Sequence, residues 1–153
     1  MNLIYYKLSD TPSDISLLTE FLLKTENSFR IPLSTKYDLN EYAEKILANG
    51  HVISFCDATT REIISCRGFY ANDTKDFTAY GSMMCSMPKA QGLGLAKKLV
   101  IKMFEICRDL NMKYVISRSV NPIAIHLYRS VGYQEIKRDT IDDIEEITFR
   151  YQL

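Results

Sequence analysis

The stretch Gln91-Gly92-Leu93-Gly94-Leu95-Ala96 closes a strand-like run, Phe77 to Met87, and opens a helical one. Leu95, Leu99, Met103, Ile106 and Leu110 recur at helical spacing, so the pattern predicts a long amphipathic helix from Gly92 to about Leu110. A short strand, Lys113 to Ser117, follows it. The runs before it, His51 to Cys56 and Glu62 to Tyr70, are joined to each other and to Phe77–Met87 by turn-like stretches, Asp57 to Thr60 and Asn72 to Lys75. That spacing predicts an antiparallel meander. A strand, helix, strand passage set into such a meander requires a mixed sheet, with helices on both faces.

The flanking segments complete the order. Asn2 to Lys7 reads as a first strand. Thr11-Pro12 is an N-cap followed by proline at the first helical position, with Asp14 in the first turn, and the helix it opens extends to about Asn27. Ser28 to Tyr37 is a loop interrupted by Pro32. Asp38-x-x-Glu41 resembles a capping box ahead of Leu39, Tyr42, Ala43, Ile46 and Leu47, with Asn49-Gly50 as the stop. Asn121 caps a helix from Pro122 to Val131, ended by Gly132. Tyr133 to Lys137 and Ile144 to Tyr151 close the chain as strands. The predicted order is β-α-α-β-β-β-α-β-α-β-β, an α/β (α+β) arrangement in one domain spanning residues 1–153.

Bulk properties narrow the function. Lys+Arg and Asp+Glu are both 19, so the chain lacks the basic excess that nucleic-acid phosphates select for. No apolar run approaches a bilayer span, and no signal or transit peptide is evident, so a cytoplasmic protein without a membrane partner is expected. Cys56, Cys66, Cys85 and Cys107 form no C-x-x-C pair, which argues for buried reduced thiols and against a metal site.

The glycine-rich stretch suits one ligand chemistry. A helix start offers unpaired N–H donors and the positive end of the helix dipole, so an anion is held there without a charged side chain. Gly92 and Gly94 remove Cβ atoms that would keep a bulky pyrophosphate away from the backbone, Ala96 keeps the first turn slim, and Lys89, Lys97 and Lys98 add positive charge. A dinucleotide fingerprint needs glycine where Lys97 stands, and the P-loop ending is absent. Two glycines alone also fit a helix start that binds nothing.

With these residues in place, the chain resembles the GNAT-type (acetyl-CoA-dependent) N-acetyltransferase superfamily. Gln91-Gly92-Leu93-Gly94-Leu95-Ala96 matches its Gln/Arg-x-x-Gly-x-Gly/Ala signature, and the run Asn121 to Tyr133 matches its Asn-x-x-Ala-x-x-Leu-Tyr-x-x-x-Gly-Phe/Tyr segment. The resemblance implies a mostly antiparallel sheet of six to seven strands, splayed between strands 4 and 5, where the pantetheine arm of acetyl-CoA inserts. By the same resemblance Cys85, Ser86 and Met87 supply backbone partners, Gly92, Leu93, Gly94, Leu95, Ala96 and Lys97 hold the pyrophosphate, and Asn121 contacts the arm or shapes the cleft wall. Tyr128 takes the position of the family's general acid.

Two departures stand out. Ala79 to Cys85, the strand on which many relatives carry a glutamate, has no carboxylate; a water relayed by Ser82, or Asp73 or Glu26 from a loop, stays open as the route for the amine's proton. Ser117 stands where relatives have an aliphatic residue, which polarises or widens the cleft. The resemblance places acceptor recognition at Phe29, Tyr37, Tyr70 and Asp73, aromatic and polar groups that suit a small-molecule amine such as an amino sugar or amino acid. A protein or peptide N-acetyltransferase and a non-catalytic acyl-CoA-binding module remain alternatives. Relatives that pair through their late strands make a homodimer a further expectation.

Overall fold

The computed structural model describes residues 1–29 and 31–153. Among them seven strands form one sheet: β1 (Leu3–Lys7), β2 (His51–Asp57), β3 (Ile63–Tyr70), β4 (Thr78–Ser86), β5 (Tyr114–Ser119), β6 (Gln134–Ile141) and β7 (Ile144–Gln152). Their order across the sheet is β1-β2-β3-β4-β5-β7-β6, antiparallel throughout except for β4 and β5. Helices α1 (Pro12–Thr25) and α2 (Leu39–Asn49) cover one face, and α3 (Leu95–Asp109) and α4 (Pro122–Ser130) the other. The mixed sheet with helices on both faces is the architecture that the strand, helix, strand passage requires.

Each face has its own core. Leu18, Phe21, Leu22, Ala43 and Ile46 pack on Val52, Cys66 and Met83 on the first. Leu99, Met103, Phe104 and Cys107 pack on Phe69, Val115 and Phe149 on the second. The caps form where the sequence puts them. Thr11 Oγ accepts from Asp14 N, Asp38 Oδ1 from Glu41 N and Asn121 Oδ1 from Ile123 N. Asp14 does more than favour a first turn. It is buried, and its carboxylate accepts from the Tyr6 hydroxyl (2.7 Å) and from Ser9 N (2.7 Å), which ties α1 to β1.

β4 and β5 pair only at Thr78–Tyr114, Ala79–Val115 and Tyr80–Ile116. Beyond that they part, β4 running on to Ser86 and β5 to Ser119. The parting begins at a bulge. Gly68 pairs with Met83 and Phe69 with Gly81, so Ser82 is the extra residue that bends β4 away.

Several boundaries differ from the sequence reading. α3 begins at Leu95, because Gly92 (φ 78°) and Gly94 (φ 69°) take left-handed conformations that keep them out of the helix. It stops at Asp109, and Leu110 is 41% exposed, not on the inner face. α1 stops at Thr25, and Glu26–Ser28 tighten into a 3-10 turn. β5 runs to Ser119 and β6 on to Ile141, where Asp142 (φ 50°) and Asp143 (φ 63°) form a two-residue hairpin turn without glycine.

Removing the Asp14 carboxylate strands two donors at the α1–β1 junction. Asp14→Ala is expected to lower unfolding free energy by about 2–3 kcal/mol, read as a reduced midpoint at unchanged slope in urea denaturation.

Candidate active site

The opening between β4 and β5 is floored by side chains from four elements. Tyr128 on α4 is 3% exposed, and its hydroxyl accepts from Arg67 Nη1 of β3 at 3.0 Å. Arg67 Nη2 donates to Ser117 Oγ of β5 at 2.8 Å, and its Nε points at Met103 Sδ of α3 at 3.4 Å. Ser117 Oγ also meets the Tyr133 hydroxyl at 3.0 Å. The network lies under the point where the strands part. A Cβ built on Gly81 would collide with Arg67 Nη2 and sit 2.5 Å from Ser117 Oγ.

Arg67 is 1% exposed, and among the described residues its hydrogen-bond partners are a thioether, a phenol and a hydroxyl, with no carboxylate. Burial works against its charge. The neighbouring phenols of Tyr128 and Tyr133 more than offset that, so its pKa is raised above the ordinary value. Burial pushes the Tyr133 phenol up to about 12 and the nearby Cys107 thiol up to about 11, so both stay protonated at neutral pH. Tyr133 packs on the Tyr128 ring (4.8 Å between centroids), and Phe149 meets Tyr128 edge-on (5.7 Å), which restrains the Tyr128 side chain.

The β4 edge supplies main-chain groups. Met87 N donates to Ile64 O (2.8 Å), so the amides of Met87 and, by alternation, Cys85 face β3. Those of Met84 and Ser86 therefore face the opening. The Cys85 side chain is buried on the α1 side, with Sγ 3.2 Å from Ser28 Oγ, and Ser86 Oγ meets Ser65 Oγ at 2.7 Å.

Past β4, Gln91 N and Leu93 N bond to Pro88 O and Ala90 O, and Lys98 N closes the first turn of α3 on Gly94 O. α3 has no side-chain cap, which leaves the amides of Leu95, Ala96 and Lys97 directed out of its N-terminus. Among the described residues, nothing lies within 4 Å of a Cβ built on Gly92 or Gly94, so the turn is open to a ligand. A groove of about 520 Å³ bordered by Gly94, Lys97, Lys98, Ile101, Lys102 and Glu105 leads on from it along α3.

Across the sheet from Tyr128, Tyr37 packs against Tyr42 (5.4 Å), and the Tyr42 phenol lies beside Ser82 and Tyr70. Burial raises the Tyr42 pKa. Phe29 packs on the α1–α2 core. Asp73 Oδ1 accepts from the amides of Lys75 and Asp76, so one carboxylate oxygen is committed to its own turn. The sequence reading gave no site role to Arg67, Gly81, Tyr42 or Tyr133, although Tyr133 ends the matched Asn121–Tyr133 segment. A charge in the middle of the apolar run Ile63–Tyr70 was the available signal for Arg67.

The Gly81 site predicts a severe steric conflict. Gly81→Ala is expected to cost about 2 kcal/mol of stability through displacement of the guanidinium, measured as a lowered Tm in calorimetry.

Comparison with known proteins agrees with this fold. The model of the acetyltransferase (GNAT) family matches residues 18–133. No curated protein matches the chain by sequence. Among solved structures, the chain is similar to an acetyltransferase of the GNAT family from Staphylococcus aureus, at 18% identity over 97% of this chain and 99% of that one, TM-score 0.75. It is similar to the ribosomal-protein-S18-alanine N-acetyltransferase from Escherichia coli, at 13% identity over 97% and 94%, TM-score 0.75. It is also similar to NAA60 of Arabidopsis thaliana, solved with a bisubstrate analogue, at 15% identity over 99% and 98%, TM-score 0.76. At these identities the likenesses carry the fold alone, whereas the family model covers most of the chain. The protein belongs to the GNAT family of acyltransferases, which use acetyl-CoA.

Proposed function

We propose that this protein transfers an acetyl group from acetyl-CoA to the primary amine of a small polar molecule, with Tyr128 as the acid that protonates the departing sulfur. The observation that supports this reading is the Tyr128 hydroxyl, bonded to the Arg67 guanidinium that lies under Gly81 where β4 and β5 part, in a chain whose glycine turn after β4 is open.

The residues present fit the donor. Gly92 and Gly94 offer bare backbone, Leu93, Leu95, Ala96 and Lys97 complete the pyrophosphate turn, and Lys97, Lys98 and Lys102 line the groove beyond it. Met84 and Ser86 present main-chain groups to the pantetheine arm. Cys85 and Met87, paired to β3, act by shaping that strand. Asn121 spends Oδ1 on Ile123 N and keeps its amide nitrogen for the same arm. Bound there, acetyl-CoA supplies an activated acyl carbon with a thiol leaving group.

This chain then has two protons to manage. A phenol is protonated at neutral pH, so Tyr128 donates without prior activation. On the acceptor side, no carboxylate projects from β4. Ser82, exposed at the bulge beside the Tyr42 phenol, is the group placed to hold a water that takes the amine's proton. Phe29, Tyr37, Tyr42 and Tyr70 give an aromatic wall with little charge, which suits a compact polar amine, and the second Asp73 oxygen is left for its ammonium. The exposed outer strand β6 is the edge through which a homodimer would pair.

Thiol release from acetyl-CoA over a panel of amino sugars, amino acids and peptides tests the reading. Turnover of small amines supports it. Turnover of peptides alone reassigns the acceptor, and tight coenzyme A binding with no turnover rejects an enzyme. Tyr128→Phe is expected to lower kcat roughly 100-fold while coenzyme A affinity stays within about threefold. An unchanged kcat removes the acid assignment. Gly94→Glu, which adds bulk and negative charge at the turn, is expected to abolish coenzyme A binding in isothermal calorimetry; retained affinity moves the pyrophosphate elsewhere.

A further inference from the structure

Arg67 is the least expected group in this fold. A guanidinium is always charged, and taking it out of water is costly unless something compensates. Buried arginines usually meet a carboxylate. Here the partners are Met103 Sδ, Ser117 Oγ and the Tyr128 hydroxyl, and Gly81 lacks the side chain that would collide with the guanidinium. Among the described residues this buried cation is hydrogen-bonded to neutral groups, so it stabilises negative charge that develops beside it. Of the two phenols beside it, Tyr128 is the one hydrogen-bonded to the guanidinium and the one assigned above as the acid, so the charge develops there once that proton has been given up.

We propose that Arg67 is a positioning residue for the acyl transfer: its guanidinium fixes the Tyr128 hydroxyl at the β4–β5 opening and stabilises the phenolate formed when that hydroxyl protonates the coenzyme A sulfur. The inference rests on Tyr128 being the acid. As the carbon–sulfur bond breaks, its electron pair goes to sulfur, and the Tyr128 proton follows. The phenolate regains a proton from the one that the amine has released, and Arg67 keeps its own throughout. The products are coenzyme A and the N-acetylated amine, together with one proton lost to solvent where the amine enters as its ammonium.

The geometry assigns roles to the neighbours. Nη1 donates to the phenol oxygen, so the phenol's own O–H is free to point into the opening. Ser117 and Met103 hold the other side of the fork, which fixes its plane. Ser117 is thereby explained: an aliphatic residue there would leave Nη2 without an acceptor. The Tyr133 hydroxyl braces Ser117 from β6's side of the site. This arrangement supplies the acid with electrostatic support that relatives with an aliphatic residue at this position would have to obtain otherwise.

The test is a double-mutant cycle with a second, activity-independent readout. In acetyl transfer to whichever amine of the panel turns over, Arg67→Met is expected to lower kcat at least tenfold, with KM for acetyl-CoA changed less than threefold. In a Tyr128→Phe background the same substitution is expected to change kcat less than twofold, because the proton it serves is gone. Arg67→Lys, which keeps the charge but loses the fork, is expected to recover part of the loss. In the ligand-free protein the ¹⁵Nη signals of Arg67, assigned by their disappearance in Arg67→Met, are expected to shift in Tyr128→Phe. If Arg67→Met fails to fold by circular dichroism, Arg67→Lys in the two backgrounds decides by the same non-additivity. Losses that multiply in the double variant, or Nη signals indifferent to Tyr128→Phe, overturn the role of Arg67 and leave the acid intact. A Tyr128→Phe protein with wild-type kcat overturns the acid, and this inference with it.

Discussion

The early parting of β4 and β5 is the constraint on which the rest of the molecule depends. Two parallel strands that stay together would bury their main-chain groups in a continuous ladder. Here the ladder ends after Tyr80 and Ile116, and the facing edges beyond it are left open. The parting starts at the bulge at Ser82, which bends β4, and the guanidinium of Arg67 fills the space under Gly81 and reaches across to Ser117 of β5. Helices on the two faces then have separate tasks. α3 and α4 carry the glycine turn and Tyr128 on one face of the sheet, and α2 carries Tyr42, beside Tyr37 and Tyr70, on the other.

Holding Arg67 in place has a thermodynamic consequence. An ion moved into a protein interior loses several kcal/mol of hydration, after relaxation, and hydrogen bonds to neutral partners recover only part of it. The fold carries that burden through a dense surrounding: Tyr133 and Phe149 pack on the Tyr128 ring, and Phe104 and Tyr151 pack on Tyr133 and lie parallel to each other at 3.8 Å. Local destabilisation at a functional site, offset by packing elsewhere, is the usual relation between activity and stability.

Much of this was legible in the sequence. Element order followed from hydrophobic period and caps, because Thr11, Asp38 and Asn121 each make the backbone bond their type and position predict. The fold class followed from one crossover inside a meander. Boundaries were read less well where conformation, not composition, decides. Gly92 and Gly94 look like a slim helix start but adopt left-handed angles ahead of it, and Asp142-Asp143 turns a hairpin without glycine. The site was half legible. Turn and phenol carry local patterns, whereas the Arg67 network joins β3, β5, α3 and α4, residues between 36 and 61 positions from Arg67, and no local pattern reports such contacts. Ser117 was recognisable as an anomaly, and only the three-dimensional arrangement shows that it faces a cation.

The most direct measurement is a crystal structure of the protein with coenzyme A. The diphosphate is expected on the main-chain amides between Gly92 and Lys97, the pantetheine arm along the free edge of β4, and the sulfur within hydrogen-bonding reach of the Tyr128 hydroxyl. A diphosphate bound away from that turn, or a sulfur on the far side of the sheet from Tyr128, contradicts this placement.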